Sequence, residues 1–400
     1  NNYAELSIDR KMAGTPDEVC SFLRDLSNKA KPYGLKDFEE LKEAAKKDGL
    51  EDLEAWDVAF YSETIKQDKY NINDQEIKQF FPENKVMEGL FSVIKNLYDI
   101  DISESKATVW HKDVKYFELL QNNKIIGSFY LDLYARKNKR GGAWMDECIS
   151  KTKFNENIDY PVAYLTCNFS SPIGNNPALF THDEVITLFH ECGHGLHHLL
   201  TEISEFNVSG IKGVEWDAVE LPSQFMENFC WDWNVIKNMT QHIHTKESMP
   251  KELFNKLIAS KNFQSGMQSL RQIEFALFDM LIHMESNPDN LDVISTLESV
   301  RDEVAVVRPP HWNRFPHSFS HIFAGGYAAG YYSYKWAEVL SADVFEEFEK
   351  NGVLSKDVGA RFRREILSVG GSRSAKESFI KFKGREPSVE ALLRHNGLAA

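Results

Sequence analysis

The sequence predicts a mostly α-helical protein with one small β-sheet. Apolar residues at helical spacing, bounded by helix caps, run through both ends of the 400-residue chain. Between about residues 107 and 169, aromatic and β-branched residues dominate instead, which indicates strands. Hydrophobic residues make up 42% and aromatic residues 12%, so the chain is a folded globular protein and not a disordered one.

The first hundred residues predict helices. Thr15-Pro16-Asp17-Glu18 is a capping box with proline at the first helical position, so a helix begins there. Pro32 and Gly34 are expected to end it, because proline lacks an N–H and glycine favours helix ends. Further helices are predicted near 36–48, 52–69 and 84–98.

The sheet is predicted from strands at 107–109, 116–120 and 125–134, followed by Val162–Phe169. Asn122-Asn123 separates the second strand from the third and is typical of a hairpin turn. Gly141-Gly142 is expected to lie within the same small sheet. Helices are then predicted to the C-terminus.

Composition excludes several classes of protein. There are 46 Lys plus Arg against 60 Asp plus Glu, a net charge of −14, without a basic stripe, so we expect no nucleic-acid partner. The sequence contains no run of about 18 apolar residues, so no membrane span is predicted. The five cysteines form no CxxC motif, which favours reduced thiols and a cytoplasmic location. We expect a monomer. Because residue 1 is Asn, we also expect a processed product or a fragment of a longer protein.

A second capping box, Thr181-His182-Asp183-Glu184, predicts a helix from about 181 to 200. This helix contains His190-Glu191-Cys192-Gly193-His194. The two histidines lie four residues apart, so both imidazoles point from one helical face and can reach one Zn²⁺. Glu191 lies on an adjacent face, where it can take a proton from a water held by the metal.

A catalytic zinc site needs a third protein ligand. Pro222 is tolerated only near a helix start, which places Glu220 at or near the first turn of the next helix. Glu227 lies seven residues later on the same face, so either carboxylate satisfies the spacing. Asp217 is either an N-cap or a partner that orients a ligand histidine. His197 and His198 are expected to be structural or to support the ligands.

Tyr327, Tyr331 and Tyr334 follow i, i+4, i+7 spacing and would share one face of a helix. Such a row is either an aromatic packing stripe or a set of phenols that donate hydrogen bonds to an oxyanion. His321, just before Gly325-Gly326, is a second candidate donor.

These motifs resemble the thimet oligopeptidase family of zinc metallopeptidases. The resemblance rests on His190 to His198, Ser209-Gly210-Ile211, Trp216 to Gln224 and His321 to Tyr334, and it extends to Gly127–Cys148 and Gly384-Arg385-Glu386-Pro387. It implies a zincin-like catalytic lobe over residues 106–400. Residues 1–105 would be a helical segment of a second lobe, and the two lobes would flank a deep channel.

The resemblance also implies residue roles. His190, His194 and Glu220, in preference to Glu227, would hold one Zn²⁺ per chain, with Glu191 as general base. The remaining roles are an oxyanion donor at Tyr334, assisted by His321, and substrate contacts at Tyr327, Tyr331, Gly142 and Ala143. The family pairs the substrate backbone with a strand edge in the region of Gly142 and Ala143.

The implied function is an endopeptidase that hydrolyses short peptides. The chain departs from the family in two respects. Cys192 stands where the family commonly has Phe, and it is interpreted as a small buried hydrophobe. Family members also carry a helical region before the point where this chain begins. An alternative is therefore an inactive or weakly active peptide-binding fragment with an incomplete channel.

Overall fold

In the computed structural model, residues 2–174 and 176–399 are described, and most of them are helical, as predicted. The helices are α1 (Tyr3–Ile8), α2 (Pro16–Lys47), α3 (Val58–Tyr70), α4 (Asp74–Lys78), α5 (Glu83–Tyr98), α6 (His182–Leu199), α7 (Leu221–Glu227), α8 (Trp233–Met239), α9 (Lys251–Ser260), α10 (Ser265–Met284), α11 (Val293–Val304), α12 (Ser320–Phe323), α13 (Ser333–Asn351), α14 (Lys356–Phe362), α15 (Ala375–Lys383) and α16 (Glu390–His395).

The predicted small sheet is present and mixed. Its strands and those of a separate hairpin are β1 (Asp101–Ser105), β2 (Lys115–Gln121), β3 (Lys124–Tyr134), β4 (Trp144–Ile149), β5 (Thr152–Phe154), β6 (Asn157–Asp159) and β7 (Val162–Phe169). The five-stranded sheet has the order β1-β2-β3-β7-β4, and β5 pairs with β6. Of the strand pairs described in this sheet, only β3–β7 is parallel. Strand β4 lies at one edge of the sheet and pairs antiparallel with β7.

The prediction that Pro32 and Gly34 end a helix is wrong. Helix α2 runs through both residues to Lys47. Gly34 lies where α2 crosses α10: a Cβ on Gly34 would lie 2.5 Å from a methyl carbon of Leu270, and one on Gly266 would lie 2.4 Å from the backbone nitrogen of Gly34. The glycine therefore permits a close helix crossing, and packing against α10 outweighs the hydrogen bond that Pro32 cannot make.

The sheet differs from the prediction at two points. Residues 107–109 form no strand, and the first strand is β1, whose Asp101–Ser105 pair antiparallel with β2. Gly141-Gly142 forms a loop before β4. The hairpin turn is confirmed: Asn122 and Asn123 both have positive φ, at 52° and 62°, as a two-residue turn between twisted strands requires.

Two large apolar clusters lie in the described part of the chain. One packs the five-stranded sheet against α5, α6, α7 and α13. The other packs α1 and the first turns of α2 against α10 and α11. A lobe boundary at residue 105, dividing 1–105 from 106–400, remains a prediction. Among the described helices, none combines the length and apolarity needed to span a bilayer.

Candidate metal centre

Helix α6 begins at the predicted capping box. The Thr181 hydroxyl accepts from the Glu184 backbone N–H, and the Glu184 carboxylate accepts from the Thr181 N–H. The helix packs over β7 on one side and against α7 on the other. At Gly193 the contact with α7 is so close that a Cβ would lie 2.4 Å from the Pro222 carbonyl oxygen. This close approach brings the histidine face of α6 to the start of α7.

His190, His194 and Glu220 meet at this contact. Their candidate ligand atoms all lie within 4.8 Å of one another. The same carboxylate oxygen of Glu220, Oε2, lies 3.3 Å from His190 Nε2 and 3.1 Å from His194 Nε2. Glu220 is the N-cap residue of α7, at the helix start that Pro222 predicted. The Ser223 hydroxyl lies 2.9 Å from both the backbone oxygen and Oε2 of Glu220, so its single proton is shared between them.

The donor set fits zinc. With zinc–nitrogen and zinc–oxygen bonds of about 2.0–2.1 Å, ligand atoms at the corners of a tetrahedron lie about 3.3 Å apart. The measured separations of 3.3 and 3.1 Å from Glu220 Oε2 are close to that edge length. Two imidazoles and one carboxylate leave a fourth position open, which distinguishes catalytic zinc sites from closed structural ones.

Glu227 contacts the other nitrogen of the same imidazole. Its Oε1 lies 2.6 Å from His190 Nδ1, at the end of α7 opposite Glu220. A carboxylate at Nδ1 fixes the ring orientation and leaves Nε2 free to bind a metal. Glu227 is thus placed to support a ligand, and Glu220 lies among the candidate ligands.

The charges of this cluster reinforce one another. Burial disfavours charge on both His190 and Glu220, but the contact between them outweighs burial. It raises the pKa of His190 and lowers that of Glu220. The pKa of His190 lies well above its ordinary value, because burial is outweighed by Glu220 and Glu227. The pKa of Glu220 lies well below its ordinary value, because burial is outweighed by His194 and His190. The site is therefore built to keep a carboxylate ionised inside the protein.

Glu191 lies beside this cluster and is only 4% exposed. Within the described residues its Oε2 atom has no hydrogen-bond partner. Burial raises its pKa, against the lowering effect of His190 and His194. A buried carboxylate oxygen without a partner is costly and points to a ligand or water at that position. Such a carboxylate is suited to accept a proton and to give it back.

The three tyrosines do come together, but not on a helix. The segment 324–332, here called the tyrosine loop, joins α12 to α13 in turns, and α13 begins only at Ser333. The helical-face prediction is therefore wrong. The rings of Tyr327 and Tyr334 nevertheless stack with centroids 5.0 Å apart, and Tyr327 Oη donates to Glu220 Oε1 at 2.9 Å.

The phenols of Tyr327 and Tyr334 stay protonated at neutral pH. Burial and the charge of Glu220 raise both pKa values above the ordinary tyrosine value. The ring of His321 lies 6.1 Å from that of Tyr327 and 6.5 Å from that of Tyr334. Tyr331 is buried, and its hydroxyl donates to Gln272 Oε1 at 2.8 Å, so it is occupied within the protein.

One open cavity of about 760 Å³ connects these elements. Its lining includes the residues predicted for catalysis, for the metal and for the substrate backbone, except Tyr331: Gly142, Ala143, His190, Glu191, His194, Glu220, His321, Tyr327 and Tyr334. Strand β4 forms one wall with Trp144, Met145 and Asp146. The loop before β4 is held by Asn168, whose side-chain nitrogen donates to the carbonyls of Arg140 and Gly142 at 2.7 Å.

Both interpretations offered for Asp217 are wrong. Its carboxylate neither caps α7 nor contacts a histidine of α6: it accepts from the backbone N–H groups of Met12 and Ala13 and from Tyr332 Oη. Asp217 thus joins the N-terminal segment to the tyrosine loop. The sequence signal was absent, because its partners lie more than a hundred residues away.

The structural roles predicted for His197, His198 and Cys192 agree with the burial of these side chains. His198 Nε2 contacts the Ile149 carbonyl at 2.9 Å and so ties α6 to the end of β4. His197 is buried, and burial lowers its pKa to about 3. Cys192 is 4% exposed and lies within the apolar cluster of the sheet, where burial raises its thiol pKa to about 12.

Comparison with known proteins decides the family. The sequence model of peptidase family M3 matches residues 1–398. The chain belongs to peptidase family M3. It is 53% identical over 402 residues to oligopeptidase A of Escherichia coli (strain K12), covering 99% of this chain and 59% of that protein. It is 32% identical over 417 residues to saccharolysin of Saccharomyces cerevisiae, covering 100% of this chain and 58% of that protein.

The M3 chain spans about 59% of the length of the oligopeptidase A sequences that it matches. Among solved structures, PZ peptidase A with inhibitor 2 superposes with a TM-score of 0.62 at 16% identity, over 99% of this chain and 60% of that one. That likeness shows a shared fold. The predicted resemblance to the thimet oligopeptidase family is confirmed, and bacterial oligopeptidase A is among the relatives that show it.

Proposed function

We propose that this M3 chain is the catalytic portion of a zinc-dependent endopeptidase that hydrolyses short peptides. One observation carries the proposal: Glu220 Oε2 lies 3.3 and 3.1 Å from the Nε2 atoms of His190 and His194, beside the unpartnered carboxylate oxygen of Glu191. The cluster borders an open cavity. The relatives at 53% identity are named oligopeptidase A, which supports the substrate class.

His190, His194 and Glu220 would hold the zinc, with Glu227 orienting His190 through Nδ1. Zinc bound there supplies Lewis acidity that makes a water more acidic and polarises a carbonyl. Glu191 Oε2 accepts the proton of the attacking water, since burial raises the pKa of this carboxyl and two histidines beside it keep it ionisable. The same oxygen then returns the proton to the leaving amine.

The oxyanion of the tetrahedral intermediate would be stabilised by the chain's own donors. Tyr334 supplies a protonated phenol, because burial raises its pKa, and His321 lies with its ring 6.5 Å from that of Tyr334. The hydroxyl of Tyr327 is engaged by Glu220, so we assign it to holding that carboxylate and to contacting the substrate with its ring.

The substrate backbone would bind along β4. Within the described residues β4 pairs with β7 alone, and residues 142–147 line the cavity. An extended peptide can add to such an edge by main-chain hydrogen bonds. Gly142 and Ala143, which directly precede β4, would contact the peptide there. The cavity of about 760 Å³ beside this strand has room for a segment of an extended peptide. We further propose a monomer in the cytoplasm, without a nucleic-acid or membrane partner.

The decisive test is cleavage of an internally quenched short peptide, with metal content measured on the same sample. We expect stoichiometric zinc and turnover that a chelator abolishes and added zinc restores. Glu191→Gln should retain the zinc and lose at least about 10²-fold in kcat, the lower range for general acid–base catalysis. Retained activity in Glu191→Gln would refute the assignment of the base.

Two further outcomes separate the alternatives. Full zinc content without turnover on any peptide would favour the peptide-binding fragment, and restored cleavage on adding the N-terminal region of a relative would establish it. An unfolded protein hydrolysed as efficiently as the short peptide would contradict the oligopeptidase assignment and indicate a general proteinase.

A further inference from the structure

The tyrosine loop (324–332) carries Tyr327 to the metal cluster and leads into Tyr334, yet it has no regular secondary structure. It contains three glycines, and Ala329 has a φ of +48°, a left-handed conformation that a residue with a Cβ rarely adopts. A segment of this kind has many accessible conformations unless other contacts hold it. The conformation of the tyrosine loop therefore depends on the groups that bind its backbone.

A single carboxylate of α10 contacts three consecutive amides of this loop. Asp279 Oδ1 accepts from the Ala329 N–H, and Oδ2 accepts from the N–H groups of Gly330 and Tyr331, each at 2.9 Å. His283, one turn later on α10, lies 3.0 Å from Oδ1 through its Nδ1 atom. Asp279 is 0% exposed. Successive amides that converge on one anion form a nest, and the anion stabilises the backbone conformation that creates it.

The loop and the carboxylate depend on each other. A buried ionised carboxylate is tolerated only where hydrogen bonds replace its water, and here three of those bonds come from the loop. Conversely, the strained Ala329 conformation persists only where its surroundings hold it. Two other contacts also hold the loop: Lys11 Nζ donates to the Ala329 carbonyl at 2.7 Å, and Tyr332 Oη donates to Asp217 at 2.8 Å.

We propose that Asp279 is a positioning residue for peptide hydrolysis, acting through the tyrosine loop. Its carboxylate fixes the backbone at 329–331, and this sets where Tyr327 meets Glu220 and where Tyr334 faces the cavity. In the described part of the chain, Asp279 neither lines that cavity nor contacts a candidate metal ligand. The inference rests on the proposed function for its catalytic consequence, but the structural half of it stands independently.

The structural half is tested first, by hydrogen–deuterium exchange on the intact protein. In the wild type, the amides of Ala329, Gly330 and Tyr331 should exchange as slowly as those of a buried helix, although they lie in a loop. Rapid exchange of these amides would overturn the proposal without any variant being needed. Asp279→Asn should accelerate their exchange about ten- to a hundredfold, since the amide side chain loses the charge and one acceptor oxygen.

Asp343→Asn is the matched control. Asp343 is also 0% exposed and also accepts from charged and backbone donors, namely Arg385, Lys383 and the Ser388 N–H, but it lies far along α13 from the loop. It should lower stability while leaving exchange at 329–331 unchanged. Equal acceleration in both variants would show that loss of a buried carboxylate merely loosens the whole protein, and would refute the proposal.

The catalytic half is tested by kinetics and by a double-mutant cycle. Asp279→Asn should lower kcat about tenfold or more with zinc content retained, whereas Asp343→Asn should leave kcat near the wild-type value. Combined with Tyr334→Phe, Asp279→Asn should add little further loss, because both changes remove the same donor geometry. Fully multiplicative losses would contradict action through Tyr334.

Failure of the proposed function gives a different result. If the wild type cleaves no peptide, the kinetic arm fails for every variant, while the exchange arm still decides whether Asp279 fixes the loop. If the wild type cleaves peptides and Asp279→Asn retains full kcat despite faster exchange, the positioning role is wrong and the proposed function is unaffected.

Discussion

Gly193 determines how closely the histidine helix α6 approaches Glu220, so Gly193→Ala should weaken metal binding. A Cβ at this position would lie 2.4 Å from the Pro222 carbonyl oxygen and 2.5 Å from the Ser223 Cα. Both are backbone atoms of the first turn of α7 and cannot rotate away. Since ordinary contacts begin near about 3.4 Å, α6 and α7 must separate by about 1 Å. That movement carries Glu220 away from the two imidazoles.

Two magnitudes decide which assay to use. Overpacking a well-packed contact costs about 1–3 kcal/mol, and replacing glycine by alanine within a helix returns up to about 1 kcal/mol, so the net loss of stability is about 0–3 kcal/mol. Metal sites, in contrast, tolerate ligand distances within about 0.2 Å. A displacement of about 1 Å exceeds that tolerance several times. Zinc affinity is therefore the sensitive readout, and we expect it to fall about 10–100-fold.

The measurement is competition for zinc between the protein and a chelator of known affinity, with thermal unfolding recorded in parallel. Gly195→Ala is the control, two residues further along α6. There a new Cβ would lie 3.0 Å from a terminal methyl carbon of Leu165, which can move. We expect near-normal zinc affinity in Gly195→Ala. Wild-type affinity in Gly193→Ala, or equal losses in both variants, would refute the reasoning that the α6–α7 contact sets the site.

Three further changes have defined outcomes. Glu227→Ala removes the acceptor at the imidazole Nδ1 and should lower zinc affinity about 10–100-fold while leaving the fold intact; unchanged affinity by chelator competition would contradict its orienting role. Tyr334→Phe should lower kcat about 10²–10³-fold with little change in KM, and a change confined to KM would exclude an oxyanion role. Asp132→Asn should reduce stability at neutral pH but not in acid. Burial favours a higher pKa for Asp132, but Arg136 and Lys139 prevail and lower it to about 2, so its contribution is present above the unfolded pKa of about 3.9 and is lost as pH falls towards 2. The stability difference from wild type, measured by denaturant unfolding, should be greatest near neutral pH and vanish near pH 2.

Local signals predicted the parts of the molecule that local contacts determine. The capping box of α6 and the four-residue spacing of His190 and His194 involve neighbours in sequence, and both appear as expected. The hairpin at Asn122-Asn123 is equally local. Pro32 shows the limit of such rules: its effect on α2 depends on how closely Gly34 lets α10 approach, a contact over more than two hundred residues.

The tyrosine loop shows the same limit inside the site. Spacing of four and then three residues predicted a helix for Tyr327, Tyr331 and Tyr334, but the backbone of 329–331 is bound by Asp279, fifty residues earlier in the chain. One signal was available: Asp279 is an acidic residue within the apolar run of α10, and a charge there needs buried partners. That signal predicts a buried anion site but does not name the amides that occupy it.

Glu220 and Glu227 show why spacing alone could not rank the candidate ligands. Seven residues correspond to about two helical turns, so both carboxylates lie on the face of α7 that meets His190. By spacing alone, either carboxylate could be the third ligand, but an imidazole has two nitrogens and each can have its own partner. Glu220 lies at Nε2 and Glu227 at Nδ1 of the same ring. An acceptor at one nitrogen orients a ring that binds a metal through the other, so in the proposed zinc site the two carboxylates have complementary roles.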